Sequence, residues 1–183
     1  ELALHADSVQ CATETYMGLV ELGVGLIPAG GGTKEMALRA SDAYYTGDIE
    51  LPRLKEYFLN IGQAKVSTSG YEAFELGYLR NGKDNITVNT EKLIEDAKQK
   101  AIYLDNLGYT KPIKKTDIKV LGTQALGMFF VGADSFKEGD YITEHEKLMS
   151  QKLAYVLCGG NLSSPTKVSE QYLLDLEREA FLS

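Results

Sequence analysis

The sequence predicts an α/β front portion followed by a helical C-terminal region, and three observations carry that reading. Extended, β-branched segments are confined to the first ninety or so residues, whereas amphipathic helical stripes dominate after them. Between the two regimes, "GYTKPIKKTD" (108–117) gathers glycine, proline and charge, the composition of a linker. The expected organisation is a core at 1–107, a linker at 108–117 and a helical extension at 118–183. With 183 residues, 44% of them hydrophobic, the chain is long enough to bury one sizeable core.

Taken in order, "ELALHAD" (1–7) reads as the end of a helix, so the sequence starts as if cut in mid-fold. "VQCATETYMGL" (9–19) suggests one or two short strands. An apolar run with one acid, Glu21, leads to Pro28 and three glycines. "TKEMALRASDAYY" (33–45) is helical, with Met36, Ala37, Ala40 and Tyr44 on one face. Residues 50–62 place Leu51, Leu54, Phe58 and Ile61 at helical spacing, and Pro52 suits a first turn. Ser69 and Glu72 form a capping box, Gly77 is a C-terminal cap, and Asn81-Gly82 marks a turn between short extended pieces. Residues 89–108 carry a stripe of Leu93, Ala97, Ala101 and Leu104, closed by Gly108.

Three further helices are expected at roughly 118–136, 141–158 and 167–182. The second opens on the capping box Thr143-x-x-Glu146. The third buries a stripe of Val168, Tyr172, Leu173, Leu176 and Ala180. The strand content is too small to close a sheet alone.

Composition excludes several classes. A net charge of −7 argues against a nucleic-acid surface, and "KPIKK" (111–115) is solvated surface. No apolar run reaches the ~18–20 residues needed to span a bilayer. "VLGTQALGMFFVGA" (120–133) reads as a buried helix, and no signal peptide is visible. Cys11 and Cys158 form no metal spacing. Two free, buried thiols in a reducing cytoplasm is the expected state.

The glycines spell no nucleotide motif. A Walker loop needs Gly-x4-Gly-Lys-Ser/Thr, but after Gly25 the run "LIPAGGGTK" puts lysine behind threonine. "GVGLIP" (23–28) puts Pro28 where a dinucleotide fingerprint needs its third glycine. A tight turn into a helix, with the glycines allowing close approach, is the plain reading. His5 and His145 build no triad or ligand cluster. His145 falls on the apolar side of its helix, as a hydrogen-bonded core imidazole would, and His5 packs near a helix end. Glu21 stands apart from the other acids: among apolar neighbours it is costly unless paired or put to use. Proton transfer and a cap on a nearby amide both fit it.

"ELALHAD", followed twenty residues after its glutamate by a second one in "GLVELGVGLIPAGGGT", resembles the crotonase (enoyl-CoA hydratase/isomerase) superfamily, as does "SGYEAFELGYL" (69–79). The resemblance covers 1–107 and implies a truncated crotonase-like fold. The tail (138–160 and 168–183) is similar to the end of bacterial multifunctional β-oxidation enzymes that fuse a 3-hydroxyacyl-CoA dehydrogenase to a crotonase domain.

The implied activity of the intact parent is reversible hydration of trans-2-enoyl-CoA to 3-hydroxyacyl-CoA. Glu1 would activate water, Glu21 would deliver a proton to the α-carbon, and Pro28, Ala29 and Gly30 would touch substrate. The resemblance further implies a coenzyme A thioester substrate, no metal, no cofactor within this chain and NAD only through an upstream domain. Upstream domains of the parent are the implied partners, together with a homo-oligomer. Both oxyanion donors would lie upstream, so the chain alone would be inactive.

Two departures touch the pocket: Val20 replaces the usual proline, and Pro28-Ala29-Gly30-Gly31-Gly32-Thr33 replaces Pro-Gly-Ala-Gly-Gly-Thr. An isomerase using Glu21 alone, a degenerate half serving as an assembly module for the dehydrogenase, and an unrelated α/β binding domain are the alternatives.

Overall fold

A computed structural model describes residues 1–183. In chain order its elements are β1 (Gln10–Ala12), α1 (Gly32–Asp42), α2 (Leu51–Gly62), α3 (Gly70–Glu75), β2 (Asn85–Thr87), α4 (Leu93–Asn106), β3 (Ile118–Val120), α5 (Gly122–Glu138), α6 (Glu144–Leu157), β4 (Thr166–Val168) and α7 (Glu170–Leu182). Short 3-10 turns add Ala3–His5, Glu21–Val24 and Thr90–Lys92. The chain divides into two units. One holds Glu1 with residues 19–65 and 114–183; the other holds residues 2–18 and 66–113. The expected linker 108–117 straddles them, with 108–113 in the second unit and 114–117 in the first.

The first unit is built around α1. Residues Gly32–Ala37, Arg39 and Ala40 are all buried, because α2, α6, α7 and β3 pack around this one helix. Met36, Leu54, Ile61, Leu153, Leu157 and Leu173 form its core, each no more than 1% exposed. A helix enclosed on all sides must also bury its polar positions, and charges survive there only when paired. Lys34 Nζ lies 3.2 Å from Glu35 and 3.4 Å from Glu170, and Arg39 Nε lies 3.0 Å from Glu35.

Strands β3 and β4 pair antiparallel, Ile118 opposite Val168 and Val120 opposite Thr166. These strands correct the expectation of continuous helices at 118–136 and 167–182. Ile118 and Val120 alternate inward at the strand period of two, and Gly122, at φ +66°, breaks any helix running through it. Helix α6 starts where its capping box predicts. The Thr143 side chain accepts from Glu146 N, and the Glu146 carboxylate accepts from Thr143 N at 2.7 Å.

In the second unit β1 and β2 pair in parallel, Gln10 opposite Asn85 and Ala12 opposite Thr87. Asp84, 5% exposed, organises the chain beside them. Its carboxylate accepts from Val9 N at 2.8 Å and from Arg80 N at 2.7 Å. Ser69 caps α3. Helix α4 buries none of its residues, contrary to the stripe expected of it: Leu93 and Leu104 are half-buried, and Ala97 and Ala101 are exposed. No helix is long and apolar enough to cross a membrane.

Candidate functional site

Glu21 sits on a surface turn within its apolar run, whose flanks at Leu19, Ile27 and Pro28 are buried. Glu21–Val24 form one 3-10 turn, Val24 is exposed, and Glu21 itself is half-buried. The turn is closed from within: Gly23 N donates to Val20 O, Gly25 N to Leu22 O, and Leu26 N to Glu21 O at 3.1 Å. Gly25 adopts φ +80°, a left-handed conformation suited to glycine, and ends the turn.

Past Pro28 the glycines lead into α1, and each meets a different demand. A Cβ on Gly30 would collide with Glu1 Oε2. One on Gly32 would stand 2.7 Å from Glu1 Oε1, and Gly31 holds φ +92°. The close approach exists because two carboxylates hold the amides of this loop. Glu1 Oε1 accepts from Gly30 N at 2.8 Å and from Gly32 N at 2.9 Å. Glu177, from α7, accepts from Gly31 N at 2.6 Å and from Lys34 N at 2.8 Å. The amino end of a helix offers unpaired N–H groups and a partial positive charge, so carboxylates settle there. Here they also take up the loop N–H groups a phosphate would need.

Glu177 is 1% exposed. Burial pushes its carboxyl above the ordinary range, with the nearby Glu1 adding to the rise, while the amide hydrogen bonds and Lys34 oppose it.

Beside this loop lies a cavity of about 610 Å³. Glu1, Glu21 and Glu177, with Gln171, Asp175 and Arg178, supply its polar groups, and Ala29 and Gly30 line it beside them. Leu26, Ile27 and Leu174 form the apolar wall, with the exposed Phe181 and Leu182 at the rim. Glu21 Oε2 is buried and accepts no hydrogen bond, a rare state for a carboxylate oxygen. Two of the residues expected to touch substrate, Ala29 and Gly30, therefore share one cavity with the two glutamates. Pro28 is buried instead, its carbonyl accepting from Thr33 Oγ1 at 2.9 Å.

Glu177 escapes the sequence reading, which names only Glu1 and Glu21 as site acids. The signal was available: Glu177 lies four residues after Leu173 and three before Ala180, inside the buried stripe of α7. His145 is not the core imidazole expected. It is exposed, and its Nε2 donates to Gly25 O at 2.9 Å. Both cysteines are free and buried.

No protein-family model matches the chain, and no solved structure is similar to it. The whole chain is 43% identical, over 183 residues, to a Bacillus subtilis (strain 168) protein named "Probable 3-hydroxyacyl-CoA dehydrogenase". The chain spans 23% of that relative's length.

This similarity overturns the crotonase assignment, with its multifunctional dehydrogenase/hydratase parent, and the enoyl-CoA hydration drawn from it. The isomerase and assembly-module alternatives fall with it. A few motif residues carried the crotonase resemblance, whereas identity along all 183 residues carries the similarity to the dehydrogenase.

Proposed function

We propose that this chain holds the acyl part of a 3-hydroxyacyl thioester, as a portion of an oxidoreductase of fatty-acid metabolism. Glu21 carries the reading: a buried carboxylate oxygen without a donor, in a residue lining a cavity whose other wall is Leu26, Ile27 and Leu174. A 3-hydroxyacyl chain has the complementary parts, one hydroxyl donor on an alkyl chain. The backbone turn sets where the Glu21 side chain stands, and its broad terminal torsion lets an oxygen meet a hydroxyl that arrives within reach of that position. The name of the Bacillus subtilis relative supports the same substrate class.

A dehydrogenase also needs a hydride acceptor, and the residues of this chain do not fit a dinucleotide. Pro28 replaces the third glycine of the fingerprint, and the loop amides that would meet a pyrophosphate are held by Glu1 and Glu177. No redox step is therefore assigned to these residues. Their part is to bind and orient.

Calorimetric titration of octanoyl-CoA and 3-hydroxyoctanoyl-CoA tests the reading. A hydrogen bond to a charged acceptor contributes about 1.5–3 kcal/mol, so the hydroxylated thioester is expected to bind at least about tenfold more tightly. Glu21→Leu removes that preference and leaves octanoyl-CoA affinity unchanged. Equal affinities in the wild-type chain, or no binding of either thioester, would refute it.

A further inference from the structure

We infer that His145 is a positioning residue for Glu21, a role that rests on the reading of the cavity as a hydroxyacyl site. No hydrogen-bond donor steers Glu21 Oε2, so the direction of that carboxylate depends on the backbone turn beneath it. Within the turn, Leu26 N closes on Glu21 O and Gly25 N on Leu22 O. The carbonyl of Gly25 takes part in none of these internal bonds, and His145 Nε2 donates to it at 2.9 Å. That contact joins the turn to the first turn of α6.

Helix α6 is itself fixed. The Thr143–Glu146 capping box defines its start, and it packs against α1, α2, α5 and α7. It therefore serves as a rigid anchor, and His145 transfers that rigidity to an exposed loop. The contact is close: a Cβ on Gly25 would stand 2.9 Å from His145 Nε2, so only glycine leaves room for the imidazole.

A carbonyl only accepts, so Nε2 must carry the proton, and both the neutral Nε2–H tautomer and the imidazolium do. The charged residues flanking His145 are Glu144, Glu146 and Lys147 on its own helix. The tether therefore works as a geometric brace in either charge state of the ring. Precision of this kind matters where the one carboxylate with an unpartnered buried oxygen distinguishes a hydroxylated from a plain acyl chain, because small misplacements are costly at binding sites.

The test compares His145→Ala and His145→Gln with wild type in the full chain, titrating octanoyl-CoA and 3-hydroxyoctanoyl-CoA. His145→Ala is expected to lower the preference for the hydroxylated thioester about fivefold while octanoyl-CoA affinity stays within twofold. His145→Gln, whose amide nitrogen keeps a donor near the Nε2 position, retains the preference. Amide exchange at Leu26, read without ligand, rises in His145→Ala and not in His145→Gln. An unchanged preference in a folded His145→Ala chain would overturn the inference, as would equal losses for both thioesters. A wild-type chain with no preference, yet with Leu26 exchange responding to His145→Ala, would refute the hydroxyacyl reading and leave only the mechanical tether.

Discussion

Replacing Glu177 with alanine is expected to destabilise the first unit more than any surface change could. The side chain is 1% exposed and accepts two amide hydrogen bonds, from Gly31 N at 2.6 Å and from Lys34 N at 2.8 Å. Each bond joins a backbone donor to a charged group, and each donor loses its partner when the carboxylate goes. Leaving a buried donor unsatisfied costs about 1–3 kcal/mol. Two such donors, partly rehydrated through the vacated space, give an expected loss of about 3–4 kcal/mol.

Urea denaturation followed by circular dichroism measures this loss. A loss under ~0.5 kcal/mol, the scale of ordinary surface substitutions, would refute the reasoning.

The pH dependence adds a second readout. The folded-state pKa of Glu177 is raised above the ordinary 4.5. The folded chain thus binds this proton more tightly than the unfolded chain does. Stability from this group is fully present below pH 4.5 and declines as pH rises through the raised value. The stability difference between wild type and Glu177→Gln, where no proton titrates, is therefore expected to shift in favour of the variant across that window.

Two further outcomes follow from local geometry. Hydrogen bonds from the Thr143 N–H and hydroxyl hold Glu146 below the ordinary carboxylate range, and Thr143→Ala, which keeps the N–H and removes the hydroxyl, should move its NMR titration midpoint part of the way back up. The stabilisation from that box is present above pH 4.5 and is lost as pH falls through the lowered value. Burial raises both thiols, Cys158 to about 12, so Ellman's reagent at pH 8 should label neither cysteine in the folded chain and both in urea.

The legible parts of this chain are those whose cause is local. Ser69 and Thr143 cap their helices within one turn, and Leu54 and Ile61 bury at helical spacing, so short windows of sequence suffice to find them. The β3–β4 pair depends on partners about fifty residues apart in sequence, Ile118 and Val168, and three-residue strands leave no periodicity to read. The stripe of α7 signals that Glu177 is buried, but not what it binds, because its partners are backbone amides, which carry no sequence signature.

Of the site, Glu1 and Glu21 do line one cavity, but their family reading failed because two acids twenty residues apart are a short pattern. The tether from His145 to Gly25 lies outside any local window, being closed across 120 residues.

The titration of octanoyl-CoA against 3-hydroxyoctanoyl-CoA, in wild type and Glu21→Leu, tests the central claim most directly. A hydroxyl preference of at least about tenfold that vanishes with Glu21 is the expected result. A chain that binds both thioesters equally, or keeps its preference without Glu21, would contradict the account.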